Sequence, residues 1–467
     1  MNLTVLTIVL AVYFLSMIGI GMLGRKYARN YESFISAGRS AGVLLIIGSA
    51  VGSQIGNGFV VGGAGSAAAT GLSGAWYGIA CGLGYLCIAL LLNKIVYKKG
   101  FISLPEFLED RYGDKVTSLV FSVATVLSYI GNIAAQLIAG SALFRAFGLD
   151  GHLGAVVITL VVLAYSLLSG LWGAFATSVV QVAVIAVALV MTAFTVLSGG
   201  GLATINEAIA NGTLPADYWS LGNIGFKPII ILVASVCLAA LCDQQTVQRI
   251  NSAKSERASM TAHILSTIIC IVLAFLPAVI GMYGAAAYGV TDNSAFFAVA
   301  LRKLPSIVSA IAIAAVIAAI MSTIDSMLIG FSTVLLKNVY KGMINPQVSD
   351  SALKKGDVLV SVVVCFISLM LSFQFTNIIA LLSNTYLFLS ACCLVPFVGG
   401  LFWKRGTARG AVVSSIVGLV LVVLSLTKVL ILPLLDLTPV AIAVVVYVVV
   451  SLLDKEGQKK NAAYFKA

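Results

Sequence analysis

The stretch Ala314–Lys341 reads AAVIAAIMSTIDSMLIGFSTVLLKNVYK, and in it Asp325 reads as the only acidic residue deep inside an apolar run of this chain. Ser322, Asp325 and Ser326 are spaced i, i+3 and i+4, which puts three oxygen-bearing side chains on one helical stripe with Thr323 beside it. A carboxylate at the centre of an apolar helix costs ~2.5–3.5 kcal/mol, so it is expected to serve a site and to face other helices. The chemistry on offer is cation binding, because hydroxyls and freed carbonyls suit a hard, singly charged ion. Two other readings stay open. Each hydroxyl can bond to the carbonyl four residues back in its own helix, and Asp325 can carry a proton instead of meeting a metal cation.

A second region departs from plain apolar composition. Gly48–Gly65 reads GSAVGSQIGNGFVVGGAG, with seven glycines and the polar residues Ser49, Ser53, Gln54 and Asn57. Glycine at that density weakens a helix, and polar groups at membrane depth need partners or water. A broken helix lining an enclosed cavity explains both. The alternative is a small-residue packing face, since Gly48, Gly52 and Gly56 recur every four residues, although packing alone would not call for Gln54 and Asn57.

The elements that must position these residues are membrane spans. Hydrophobic residues make up 60% of the 467 and charged residues only 10%, where a soluble protein carries about a quarter. Apolar stretches near twenty residues recur at roughly 3–24, 43–66, 73–93, 116–146, 153–170, 174–198, 226–243, 257–289, 306–336, 357–375, 377–402, 409–427 and 437–453. That makes about 13 transmembrane helices. With the N-terminus outside and the C-terminus cytoplasmic, all of the 28 Lys and Arg except Arg145, Lys227, Arg302, Lys303 and Lys428 fall on the cytoplasmic side. The clusters Arg25/Lys26/Arg29/Arg39, Lys94/Lys98/Lys99 and Lys404/Arg405/Arg409 therefore read as topology signals, not a nucleic-acid patch, in spite of the net charge of +11. The first span lacks a basic leader and reads as a retained helix. Phe101–Lys115 reads as a short interfacial helix with Leu104, Phe107 and Leu108 on one side and Glu106, Glu109, Asp110 and Arg111 on the other. The eight cysteines (Cys81, Cys87, Cys237, Cys242, Cys270, Cys365, Cys392 and Cys393) lie in or at the ends of spans and read as packing residues.

Several motifs together carry a resemblance. They are Phe34-Ile-Ser-Ala-Gly-Arg-Ser40, Leu104-Pro-Glu-Phe-Leu-Glu-Asp-Arg-Tyr-Gly113, Gly170-Leu-Trp-Gly-Ala174, Gln248-Arg249 with Ser252-Ala-Lys-Ser255, Met321-Ser-Thr-Ile-Asp-Ser326, and Pro396-Phe-Val-Gly-Gly-Leu-Phe-Trp-Lys-Arg405 with Gly410-Ala411. In this order they resemble the sodium:solute symporter family over about residues 10–420. The resemblance implies an all-α LeuT-type inverted repeat of five plus five helices with one extra N-terminal and two extra C-terminal helices. One transporter domain would then comprise an extra first helix and loop (1–42), a first repeat (43–198), a second repeat (226–402), and two last helices with a short cytoplasmic tail (403–467). It also implies a sodium site made of the carbonyls of Gly52, Ile55 and Ala319 with the hydroxyls of Ser322 and Thr323.

Two departures from the family pattern bear on mechanism and substrate. Many members carry Thr-Asp near the start of the sixth span, where this chain has Thr177-Ser178. Asp325 is offered as the replacement carboxylate, forming a possible second cation site with Ser326 and Ser178. Sugar-carrying members place aromatic residues where Ser235-Val-Cys-Leu-Ala-Ala-Leu-Cys242 has none, so a pyranose is not expected. The candidate solute cavity comprises Gln54, Asn57, Ser128, Tyr129, Asn132, Gln136, Asn384 and Tyr386, with no arginine nearby. Amides, hydroxyls and helix ends suit a small zwitterion or carboxylate. The resulting expectation is a sodium-coupled symporter of the cell membrane importing an amino acid such as proline, with pantothenate, a monocarboxylate or proton coupling through Asp325 as alternatives. One charge moved through 100 mV supplies ~2.3 kcal/mol for accumulation. The expected partners are the solute, Na+ and the lipid bilayer, with no nucleic acid and no obligate protein. No cofactor or transition metal is expected beyond Na+ as coupling ion. An intramembrane enzyme is disfavoured, because His152 and His263 are far apart and no His-Glu-x-x-His or phosphate-binding Gly-rich motif occurs. A passive channel is the remaining class.

Overall fold

The computed structural model describes residues 2–24, 35–166, 170–427, 429–430 and 437–464. Arg25, Lys26, Arg29, Phe34 and Lys428, and the last residues of the expected fifth span, lie outside the described residues. Among the described residues the chain forms helices and no strand, apart from one isolated bridge between Ala41 and Ala253. The helices are α1 Leu3–Gly24, α2 Val43–Gln54, α3 (58–70), α4 (76–99), α5 Leu104–Tyr112, α6 Lys115–Ala146, α7 Gly151–Ser166, α8 Gly170–Ser198, α9 Gly201–Ala210, α10 Phe226–Leu241, α11 Gln244–Ser252 and α12 Glu256–Tyr288. They continue with α13 Ala295–Arg302, α14 Ser306–Ile344, α15 Asp350–Ser372, α16 Ile378–Phe402, α17 Ala408–Leu426, α18 Thr438–Leu453 and α19 Lys455–Tyr464. Nine helical stretches of the described residues are long and apolar enough to cross a membrane, ten if α10 and α11 count as one bent span. Three shorter apolar helices, over Val43–Gln54, Gly151–Ala164 and Thr438–Leu453, accompany them.

Burial sorts these helices. The most apolar window of α14 is 89% buried and that of α1 only 11%. Helix α14 is therefore the spine, while α1 shows Leu3, Ile8, Val12 and Leu15 to the lipid side. The polar stripe of α14 thus lies where every side chain must meet another helix.

The second apolar stretch is broken. Helix α2 ends at Gln54, Ile55–Gly56 are not helical, and α3 begins with a wide turn at Gly58. The glycines serve packing as well as the break. A Cβ at Gly48 would run into a methyl of Val179 and lie 2.8 Å from its backbone, so α2 and α8 cross at near contact there. Gly56 and Gly58 stand at the break itself. The seventh stretch, expected as a plain span to 243, is also broken: α10 and α11 meet at 53°. Asp243 makes the corner, its carboxylate accepting from the Gln245 N–H as an N-cap.

Helix α5 follows the sequence expectation in outline and departs from it at Arg111. Ser103 caps it, Pro105 sits in its first turn, and Leu104, Phe107 and Leu108 are buried. Arg111, expected on the polar side, is buried as well. Its guanidinium donates to the carbonyls of Gly400 at 3.0 Å, Trp403 at 3.3 Å and Gly406 at 3.4 Å. These carbonyls belong to the last turn of α16 and to the chain just after it, where acceptors left by the helix end need donors. The cysteines are all free, six of them buried and Cys87 and Cys237 half-buried.

Candidate cation and solute site at two helix breaks

Helix α14 meets the first break directly. Ser322 Oγ donates to the Gly52 carbonyl at 2.7 Å and to Ala319 O at 3.2 Å. Thr323 Oγ1 lies 3.2 Å from the Ser53 carbonyl and 3.0 Å from Ala319 O. Three carbonyls and two hydroxyls therefore converge where α2 unwinds, a set of neutral oxygens without a carboxylate. Hard monovalent cations favour such a set. Ile55 lies buried at the break, its N–H on Val51 O at 2.7 Å. The carbonyl that pairs with Thr323 belongs to Ser53, which the family motif does not single out. Bonding to the helix's own backbone occurs at the same time, since both hydroxyls also reach Ala319 O.

Asp325 is 1% exposed and lies one turn beyond Met321 on α14. Met321 Sδ accepts from the Tyr13 hydroxyl at 3.6 Å, and Gln181 Nε2 donates to the same hydroxyl at 3.2 Å. Asp325 is within Coulombic reach of Tyr13. This stripe therefore faces α1 and α8. Ser178 stands on α8 beside Gly52, where a Cβ would lie 3.2 Å from the Ser178 Cβ. The Ser178 hydroxyl and Gln181 Oε1 are buried with no hydrogen-bond partner among the described residues, which leaves two oxygens for a ligand. Ser326 bonds to the Ser322 carbonyl at 3.0 Å, the local habit of helical serines.

A cavity opens between the two breaks. It is lined by Gln54, Ser128, Tyr129, Asn132, Gln136 and Tyr386 of the expected set, and by Ser53, Tyr77, Asp243, Gln245 and apolar atoms of Val236, Ala239 and Ala240. Gln136 Oε1 accepts from the Asn57 N–H at 2.9 Å, and its Nε2 donates to Asn132 Oδ1 at 3.3 Å. The Tyr129 hydroxyl donates to Asp243 Oδ1 at 2.5 Å. Ser128 Oγ is turned to the Thr385 carbonyl at 3.0 Å, and the hydroxyls of Tyr77 and Tyr386 stand 3.0 Å apart.

Asn57 and Asn384 do not line this cavity. Asn57 is wholly buried at the start of α3, its amide without a partner among the described residues, and Asn384 is half-buried on another face of α16.

One expectation is corrected. An arginine does stand beside the cavity: Arg249 is buried and bonds to Gln245, which lines it. Two other acids stand near these helices without lying inside an apolar run. Asp243 lines the cavity, and Asp357 of α15 is buried against Ser332 of α14. Both acids sit at the ends of apolar runs, where hydropathy alone assigns them to the membrane surface.

The model of the sodium:solute symporter family matches residues 34–418, a range that holds both breaks and all of the stripe on α14. The high-affinity proline transporter PutP of Bacillus subtilis (strain 168) is 29% identical over 441 residues, covering 87% of this chain and 89% of that protein. A sodium/proline symporter of Staphylococcus aureus (strain bovine RF122 / ET3-1) is 28% identical over 459 residues, covering 89% of this chain and 85% of that protein. Among solved structures, a Na+-coupled sialic acid symporter in a substrate-bound outward-open state superposes with a TM-score of 0.79 at 20% identity, over 96% of this chain and 98% of that one.

Proposed function

The chain belongs to the sodium:solute symporter family, a multi-pass cell-membrane transporter of LeuT-type fold that couples solute movement to sodium, and on that premise we propose that its solute is proline or a similar small zwitterion. The coupling reading rests above all on one observation: Ser322 and Thr323 stand against the carbonyls of Gly52 and Ser53 where α2 unwinds. The main cation is proposed to take its oxygens from Gly52, Ala319, Ser322 and Thr323, with Ile55 from the family resemblance and the Ser53 carbonyl beside them. The two repeats are proposed as 43–198 and 226–402, with the N-terminus outside and the C-terminus in the cytoplasm, the orientation that the distribution of Lys and Arg along the sequence supports.

Zwitterion selectivity has its own support. Asp243 places a carboxylate in the cavity, where a cationic amine offsets its charge. The side-chain amides of Asn132 and Gln136 on the cavity wall carry N–H donors for an anionic group. A pure anion such as a monocarboxylate or pantothenate gains nothing from Asp243 and is repelled by it. The relatives named as proline transporters point the same way. Proteoliposomes assayed with a labelled solute panel test this. Proline uptake should exceed that of pantothenate and short monocarboxylates and should vanish when the sodium gradient is collapsed. Equal uptake without a sodium gradient overturns the coupling, and a preference for an anion overturns the substrate.

A second cation site is proposed at Asp325, Ser178 and Ser326, with Gln181 Oε1 and the Tyr13 hydroxyl beside it. Asp325→Asn should lower the Hill coefficient of sodium activation towards one and weaken apparent sodium affinity by roughly 5-fold or more. An unchanged activation curve removes the site. Uptake driven by a pH gradient in sodium-free buffer, abolished by the same substitution, assigns Asp325 to protons instead.

A further inference from the structure

Arg249 stands behind residues that line the cavity without lining it itself, and it is among the largest wholly buried side chains of the described residues. Its guanidinium donates from Nε to Ser49 Oγ at 3.1 Å, and from Nη2 to Ser53 Oγ at 2.5 Å and to Gln245 Oε1. It thereby ties α2 to α11 beside the cation site. Ser53 is the shared residue, since its carbonyl faces Thr323 and its hydroxyl faces Arg249.

Helix α11 is itself unusual, because all nine of its residues are buried although most are polar. Hydrogen bonds hold it on every side. Gln244 accepts from the Leu104 N–H at 2.9 Å, Asn251 Nδ2 donates to Phe101 O at 2.6 Å, and Gln248 Nε2 donates to Thr333 Oγ1 at 2.8 Å. The chain after α11 bridges the segment that follows α1, with Ala41 N–H on Ser252 O and Lys254 N–H on Ala41 O, both at 2.9 Å. That segment turns through Ala37 and Arg39, non-glycine residues at φ +52° and +54°, a conformation kept only where surroundings enforce it. These contacts lie at the end of the bundle that carries Lys94, Lys98 and Lys99, which the basic-residue asymmetry makes the inner end. A buried element held by hydrogen bonds can exchange them for water at little net cost, whereas an apolar plug would have to expose its surface. Helix α11, which carries the cavity-lining Gln245, is thus held at this end mainly by contacts that water can replace.

We propose that Arg249 is the positioning residue that couples occupancy of the cation site to an inner gate formed by α11. While a cation holds the carbonyls at the end of α2, Ser49 and Ser53 stay in register for the guanidinium, and α11 stays seated. When the cation leaves, the end of α2 is released, Arg249 loses its acceptors, and α11 withdraws. The same linkage run backwards makes closure of α11 raise cation affinity. This inference rests on the sodium-symport reading.

The test compares two transport modes in proteoliposomes: accumulation of labelled proline driven by sodium, and sodium-free exchange of proline across the membrane. In wild type the first should be strong and the second weak. Arg249→Gln should cut accumulation by ~10-fold or more while raising sodium-free exchange by a similar factor, the size typical of a coupling energy between sites. Arg249→Lys should recover part of the coupling. The pair Ser49→Ala with Ser53→Ala, which keeps the arginine and removes its acceptors on α2, should uncouple in the same direction. Loss of both modes together in correctly inserted Arg249→Gln, with the double serine variant still coupled, overturns the inference and leaves Arg249 a structural residue. If Arg249→Gln does not insert, the double serine variant decides: tight coupling in it overturns the inference, and uncoupling upholds it. Wild-type protein that shows no sodium dependence instead strikes the symport reading.

Discussion

Between α2 and α3 the chain breaks at Ile55–Gly56 among glycines, whereas between α10 and α11 it bends by 53° at Cys242–Asp243 with no glycine in either helix. The first break works by leaving side chains out. Its value lies in the carbonyls of Gly52 and Ser53, which α14 can approach because nothing stands in between. The second works by adding them: Asp243 caps α11, receives Tyr129 and faces the cavity, and Gln245 follows it. A backbone break of the first kind offers neutral carbonyl oxygens, which suit a small ion. A side-chain break of the second kind offers charge and direction, which suit a molecule with distinct ends. Substitutions at the two breaks should therefore fail in different ways.

The largest effect is expected at Gly56. A Cβ there would lie 2.5 Å from Thr323 Oγ1 and 3.0 Å from Gln136 Oε1. Thr323 is β-branched and held at its post, so it cannot swing aside without leaving the carbonyl of Ser53. Overpacking of this sort costs about 1–3 kcal/mol, and here it falls on the proposed cation and solute sites together. Gly56→Ala should therefore reduce sodium-driven uptake by roughly 100-fold at normal membrane abundance. Near-normal uptake would mean that the first break tolerates a side chain, and the distinction between the two breaks would collapse.

Ser322→Ala and Thr323→Ala come next and should act on the ion alone. Each removes one oxygen from a charged ligand, a loss of about 1.5–3 kcal/mol, so apparent sodium affinity should fall at least ~10-fold while saturating uptake is largely kept. Thr323→Ser should restore most of it. A change in solute affinity at saturating sodium, with the sodium curve unmoved, would assign these hydroxyls to the cavity.

At the second break the expected effects are smaller and depend on which property of Asp243 is removed. Asp243→Asn keeps a good N-cap and an acceptor for Tyr129, whereas Asp243→Ala loses the cap, worth about 1 kcal/mol, and leaves the Tyr129 hydroxyl without its acceptor. The KM for proline should rise ~10-fold or more in the alanine variant, with apparent sodium affinity nearly unchanged in both. A rise in the asparagine variant for proline that is absent for a carboxylate analogue lacking the amine would show that the charge reads the solute. A sodium defect equal to that of Ser322→Ala would remove the division of labour.

The same contrast governs what is legible in the amino-acid sequence. The glycine break announces itself by composition, and the stripe Ser322-Thr323-x-Asp325-Ser326 by helical spacing, so both can be read from the residues alone. The Asp243 corner has no such signal. A helix N-cap at the end of an apolar run looks like the ordinary edge of a span, and α11 looks like a soluble loop because its residues are polar. Only tertiary hydrogen bonds from 35–41, 101–104 and Thr333 bury it, and no local pattern encodes them. Arg249 belongs to a family motif, but its acceptors on α2 lie far back in the chain and the motif says nothing of them. Arg111 reads as a polar-face residue of α5 for the same reason: its acceptors, carbonyls at and just after the end of α16, lie nearly 300 residues away in the chain.

The smallest expected effect separates Asn384 from Tyr386, and here helical geometry applied to the sequence is enough to decide. Residues two apart on a helix point about 200° away from each other, so the pair cannot both face one cavity. Tyr386 faces it, with its hydroxyl 3.0 Å from that of Tyr77, and Asn384 does not. Tyr386→Phe removes one partner of a buried hydroxyl pair and should raise the KM for proline by roughly 5-fold, the equivalent of a net hydrogen bond near 1 kcal/mol. Asn384→Ala should leave both proline and sodium dependence within about 2-fold of wild type, as substitutions away from a site commonly do. The two variants measured side by side in the same uptake assay fix which face of α16 lines the path. A proline defect in Asn384→Ala that matches Tyr386→Phe would require α16 to rotate during transport and to present its other face in a second state.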